Sequence, residues 1–237
     1  MSELAVAIDQ VPVVGTSLSG RRCTLAPMVT IREQVYHWAA LRARLHAVPR
    51  FRGDVLIYVD MDVSGSVQGG NDPLGRRNEL VLVALEQLVA RRSREGRWWV
   101  RLSTFDDPSV SSIELVTTLL DRNTLKKVRD VLLPTSAGGC SILGNSLWRA
   151  EREINQFNGT SVLCVLSDFE LYDRRPSEVL ERFANSEADE IVAISLTNPP
   201  PDELTGTSVT CAQLVATDDP VDLANHIIDA ATRAAAI

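Results

Sequence analysis

Lysine is nearly missing: only Lys126 and Lys127 among the 24 basic residues are lysines. The arginine skew assigns no interaction by itself, because the two cations differ mainly where bidentate or stacked contacts form. Histidine is scarce too, with His37, His46 and His226 far apart, which leaves little material for a Ser/His/Asp triad. The four cysteines, Cys23, Cys140, Cys164 and Cys211, form no CxxC or other close pair. A zinc site is therefore not expected. Nor is a disulfide scaffold, in a chain of this length with no export signal. The cysteines are expected to be reduced and to serve mainly as small core residues. No apolar run approaches the roughly 18 residues a membrane span needs. MSELAVAIDQ at the start has no basic n-region, so a cytoplasmic location is expected.

What is present is an ordinary globular composition, 45% hydrophobic and 23% charged over 237 residues, which excludes wholesale disorder. Charge is uneven. Residues 1–52 carry seven Arg against Glu3, Asp9 and Glu33, a net of +4; the remainder carries 17 basic and 28 acidic residues, a net of −11, giving −7 in all. An acidic body with a short basic head argues against broad nucleic-acid binding, which needs a concentrated positive face.

From residue 54 onward, short apolar runs alternate with helical patterns. DVLIYVDM (54–61) has the continuous apolarity of a strand buried on both faces. Further strands are predicted at 98–105, 111–118, 161–167, 190–196 and 211–217. Helices are predicted at 78–95, 121–132, 141–156, 175–186 and 219–235. Such alternation implies an α/β, Rossmann-like, mostly parallel central sheet with helices on both faces. DDPSV between the second and third strands is too short for a crossover, so one edge strand is expected to run antiparallel.

The first 52 residues fall outside that alternation and read as an N-terminal extension, with the α/β domain covering 53–237. VTIREQVYHWAALRARLHAV (29–48) places Ile31, Val35, Trp38, Leu41, Leu45 and Val48 on one helical stripe. Thr30 and Glu33 have capping-box spacing, and Pro49 is a stop. This helix either docks on its own sheet or takes a partner. Residues 1–28 offer at most one weak strand, LAVAI or VPVV.

In open parallel sheets, ligands sit beyond the carboxyl ends of the strands. There the sequence places Asp60, Asp62, Ser64 and Ser66 after the first strand, the segment SAGGCSILGNSL (136–147) before a helix, and Asp168 after the strand at 161–167. Hydroxyls with few carboxylates suit Mg²⁺ or Mn²⁺.

Asp62-x-Ser64-Gly65-Ser66, the Gly-Gly-x-Ser-x-x-Gly-x-x-Leu segment and Ser167-Asp168 together resemble the von Willebrand factor A domain and its metal-ion-dependent adhesion site. The resemblance covers about residues 53–235. It implies metal ligation by Asp62, Ser64 and Ser66 on a first loop, Ser141 on a second and Asp168 on a third. The second-loop position, usually Thr, falls on Ser141 or on Cys140 depending on how the glycines are aligned. Ser141 is favoured, because a thiol suits a hard cation poorly. The Gly that usually follows the third-loop Asp is here Phe169. The resemblance implies a non-catalytic, Mg²⁺-dependent interaction module whose protein partner supplies an Asp or Glu to the metal. In bacterial cytoplasmic relatives that partner is often a MoxR-type AAA+ ATPase. No nucleic acid partner is expected.

Two alternatives use the same residues. Asp60-x-Asp62 also fits the opening of haloacid-dehalogenase-like phosphatases, with Asp60 as nucleophile and Asp62 as general acid/base; Ser103 or Thr104, Lys126 or Lys127, and Asp168 with Asp173 would complete it. A von Willebrand A scaffold with a degenerate metal site is the other. Arg52-Gly53-Asp54 spells an integrin ligand but leads into a strand and reads as coincidence. Trp98, Trp99 and Trp148 are expected to be packing residues. PPPDEL (199–204) is predicted to be a turn into a short helix that could rim the site.

Overall fold

The computed structural model describes residues 44–48, 50–67, 77–90, 95–105, 114–132, 139–215 and 218–236. Its strands are β1 (Gly53–Asp62), β2 (Gly96–Phe105), β3 (Glu114–Leu119), β4 (Thr160–Ser167), β5 (Glu190–Leu196) and β6 (Thr210–Leu214). Its helices are α1 (Arg77–Ala90), α2 (Arg122–Leu132), α3 (Gly144–Gln156), α4 (Pro176–Ala184) and α5 (Pro220–Ala234). They form one six-stranded sheet in the order β3-β2-β1-β4-β5-β6. All neighbours are parallel except β2 and β3, so the antiparallel edge expected from DDPSV is there.

Burial explains the run-on apolarity of β1, which is covered on both faces. Val55, Ile57, Val59 and Met61 join a core built with α1, α2 and α5. Leu56 and Tyr58 face the other layer, with Leu143, Leu147, Ala150 and Ile154 of the α3 region and Leu180 and Phe183 of α4. Burying a Leu- or Ile-sized side chain contributes about 1.5–3 kcal/mol. α1 is less amphipathic than its period implied. Leu80 to Leu85 are all buried, because the helix is covered by α5 and α2 as well as by the sheet.

Several expectations are corrected. The helix predicted over 29–48 does not extend through its described end, where 44–48 form a turn and irregular chain. Pro49 disfavours helical backbone just before it. In addition, the backbone of this stretch bonds sideways to α5: the His46 N–H donates to Asn225 Oδ1 at 2.9 Å, and Asn225 Nδ2 to the Arg44 carbonyl at 3.5 Å. Leu45 and Val48 pack against the core, so this part docks on its own sheet unit. The rest of that helix, its capping box, the strand suggested within 1–28 and Arg91–Arg94 lie outside the described residues.

The cysteines divide: Cys164 is buried, but Cys140 and Cys211 are exposed, one in a loop and one on the outer face of the edge strand β6. Trp98 is core. Trp148 is 53% exposed, because it lies on the side of α3 opposite the buried Ser146, Leu147, Ala150 and Ile154.

Candidate metal centre at the sheet switch point

The chain leaves β1 to build β2 and β3 on one side and returns to build β4, β5 and β6 on the other. The carboxyl ends of β1 and β4 therefore flank the point where strand order reverses, the usual location of a ligand crevice. Met61 is in register with Leu166, which brings Asp62 level with Ser167.

Asp62 is the hub. Its Oδ1 accepts the Ser64 N–H at 2.8 Å. Its Oδ2 accepts the hydroxyls of Ser141 at 2.7 Å and Ser167 at 2.6 Å. The Phe169 N–H donates to Ser167 Oγ at 2.8 Å, which occupies one lone pair and aims the hydroxyl proton at Asp62. Ser64 and Ser66 hydroxyls lie 3.1 Å apart. Backbone bonds lace the loops together: Gly65 N–H to the Gly139 carbonyl at 3.2 Å, Val63 N–H to Phe105 at 3.2 Å, and Tyr172 N–H to Ser141 at 2.7 Å.

Of the expected ligands, Asp62, Ser64, Ser141 and Asp168 are buried and Ser66 is half-buried. The structure joins Asp62 directly to Ser64 and Ser141, and Ser66 to Ser64. Asp168 sits one residue past the end of β4, where its Oδ1 accepts the Glu170 N–H at 3.1 Å and its carbonyl accepts Asn198 Nδ2 at 3.1 Å. Cys140, the alternative at the second-loop position, is exposed; Ser141 is the residue that reaches Asp62.

Two residues that the sequence offers in other roles are positioning groups here. Ser167, part of the Ser-Asp pair, donates to Asp62. Asp173 caps α3, its carboxylate accepting the N–H groups of Leu143 and Gly144, each at 2.9 Å. A Cβ at position 144 would come within 2.8 Å of Asp173 Oδ1, so glycine there leaves room for the cap. Phe169 adopts φ +56°, a left-handed conformation that costs an L-residue about 1–2 kcal/mol and that glycine adopts freely.

Burial pushes the Asp62 carboxyl above its ordinary value, with the Ser167, Ser64 and Ser141 donors opposing. None of these donors is cationic, and the neighbouring Asp60 carboxyl interacts electrostatically with Asp62. Each serine that donates to Asp62 keeps lone pairs free, and hard hydroxyl oxygens beside a buried anion fit a divalent cation of the Mg²⁺ class. Among the described residues, no three His, Cys, Asp or Glu side chains cluster as ligands; a cation here would depend on hydroxyls.

Beneath this layer, Asp60 is fully buried against α3. Burial raises its pKa to about 6, with the Ser146 hydroxyl, Arg149 and Ser103 working against the rise. Ser103 and Ser146 hydroxyls lie 3.2 Å apart. Arg101, at a bulge in the β2–β3 register, pairs with Glu153 at 3.2 Å. Lys126 and Lys127 are exposed on α2.

Among the described residues, no helix is long and apolar enough to cross a membrane. No protein-family model matches the chain, and no curated protein matches it. Solved structures do. The chain is similar to a von Willebrand factor type A protein from Catenulispora acidiphila at 14% identity and TM-score 0.57, covering 80% of this chain and 47% of that one. The fold is that of von Willebrand factor A domains. The pilus adhesin SpaC from Lactobacillus rhamnosus GG matches at TM-score 0.59 and 14% identity, over 80% of this chain and 32% of that one. Proximal thread matrix protein 1 from the mussel byssus matches at TM-score 0.53 and 19% identity, over 80% and 48%. The match thus spans most of this chain and less than half the length of each of these proteins.

Proposed function

We propose that this chain is a non-catalytic protein-recognition module in which Asp62, Ser64, Ser66, Ser141 and Asp168 hold Mg²⁺ or Mn²⁺. The carrying observation is a buried Asp62 carboxyl that receives donors from the loop after β1, the loop before α3 and the end of β4, none of them cationic. Isolating a carboxylate from water is unfavourable; a bound divalent cation would offset that cost and stay electrophilic, because most of its ligands are uncharged. A carboxylate presented by a partner supplies the missing charge. The A-domain fold supports an interaction role, and one of its matches, SpaC, is named as an adhesin. The setting we propose is a cytoplasmic complex, with a MoxR-type AAA+ ATPase as the partner class.

The phosphatase alternative gains no support from the geometry. Asp173, which its acidic motif would need, is engaged in capping α3. The test is thermal melting in Mg²⁺, Mn²⁺ and EDTA. Either metal is expected to raise Tm in the wild type and to leave Asp62→Ala with Asp168→Ala unmoved. An identical wild-type curve in excess metal and in EDTA rejects metal binding. Phosphatase turnover that disappears in Asp60→Asn would restore the enzyme reading.

A further inference from the structure

Among the described residues, two that are not glycine adopt a left-handed backbone: Phe169 at φ +56° and Thr197 at φ +70°. Both sit just past strand ends, Phe169 two residues beyond β4 and Thr197 directly after β5. β4 and β5 are neighbours in the sheet. A β-branched or bulky residue at positive φ is a steric outlier. Such residues persist only where their surroundings hold them, and they gather at functional sites.

Thr197 is held from β6. Its N–H donates to the Leu214 carbonyl at 2.8 Å, and its own carbonyl accepts Gln213 Nε2 at 2.9 Å. The Asn198 N–H then closes a three-residue turn onto the Leu196 carbonyl at 2.8 Å, the rare γ form with a positive φ at its centre. The buried Ser195 hydroxyl donates to the Asn198 carbonyl at 2.8 Å, and Pro199 disfavours helical backbone at Asn198. The Asn198 backbone is thus fixed, and its side chain spans Phe169. Asn198 Nδ2 donates to the Asp168 carbonyl at 3.1 Å and to Glu170 Oε1 at 3.2 Å, the residues before and after the left-handed one. Glycine at 169 would adopt this φ freely; phenylalanine has to be held there.

We propose that Asn198 is a positioning residue, which clamps the third loop around Phe169 and keeps Asp168 in its ligating arrangement. The loop after β5, which contributes no ligand, thereby sets the metal affinity. This rests on the metal reading above, and adds a fourth loop to the support of the centre.

Mn²⁺ titration of the full chain, with amide hydrogen exchange over residues 168–172, tests it. Asn198→Ala is expected to weaken Mn²⁺ about tenfold or more and to speed exchange of the Phe169 and Glu170 amides, with β4 still protected. Asn198→Asp, which replaces the donor nitrogen by an acceptor oxygen, should do the same. In a Phe169→Gly chain, whose backbone needs no clamp, Asn198→Ala should weaken Mn²⁺ by about threefold or less. Unchanged affinity in both Asn198 variants, or a loss as large in the Phe169→Gly chain as in the wild type, would overturn the clamp. If the wild type binds no Mn²⁺, the metal reading fails by itself: faster exchange in Asn198→Ala then still supports the clamp on Asp168, and unchanged exchange rejects it.

Discussion

At the scale of single residues, the centre turns on which hydroxyls reach Asp62. Ser141 is buried and donates to its carboxylate, whereas Cys140 one position earlier faces solvent. Ser141→Ala is therefore expected to weaken Mn²⁺ binding about tenfold or more, and Cys140→Ala to leave it unchanged, as read by calorimetric titration. Equal effects of the two substitutions would put the second-loop ligand elsewhere. The residue types were legible in advance: an acid and spaced serines after an apolar strand mark a hard-cation centre. The choice between Cys140 and Ser141 was not, because it depends on how the loop turns rather than on spacing. Phe169 was visible as a departure from glycine, but only the backbone shows it held at positive φ. Trp148 was misread, since an apolar residue beside a helix start looks the same in sequence whether it faces the core or the solvent.

Helices carry the next level of control. The residue before α3, Leu143, offers no capping side chain, and Asp173 from the third loop supplies the cap instead. Asp173→Ala should cost about 1 kcal/mol, a fall in Tm of about 2–4 °C for a chain of this size, and Asp173→Asn should recover part of it. A cap from a distant segment is hard to see in sequence, because the residues before α3 offer no Ser, Thr, Asp or Asn in the capping place.

On α5, burial holds the His226 imidazole below its ordinary value, against Asp222 and Asp229. The unfolded chain then binds more protons at this residue than the folded one as pH falls below about 6.5, so stability rises with pH in that window and is lost on acidification. Replacing His226 with Gln should flatten the decline in Tm between neutral pH and about pH 5; an unchanged pH profile would show that His226 does not contribute.

For the molecule as a whole, the alternation of apolar runs and helical stripes was enough to specify a mostly parallel sheet with one antiparallel edge. Every strand from β1 to β6 falls on an expected run. The sequence of 29–48 misled at its end because periodicity sees only the stripe of Leu45 and Val48. It does not see that the backbone at Arg44 and His46 is bonded to Asn225 on α5. The strand order then explains why Asp62 and Ser167, 105 residues apart, meet at all: β1 and β4 are neighbours at the switch point. That meeting makes a buried carboxyl with uncharged donors, and the proposed function follows from it. Paramagnetic Mn²⁺ titration tests this most directly. Expected is one tightly held Mn²⁺ per wild-type chain, displaced by Mg²⁺ and lost in Asp62→Asn; free Mn²⁺ throughout the wild-type titration, or equal retention by Asp62→Asn, would contradict it.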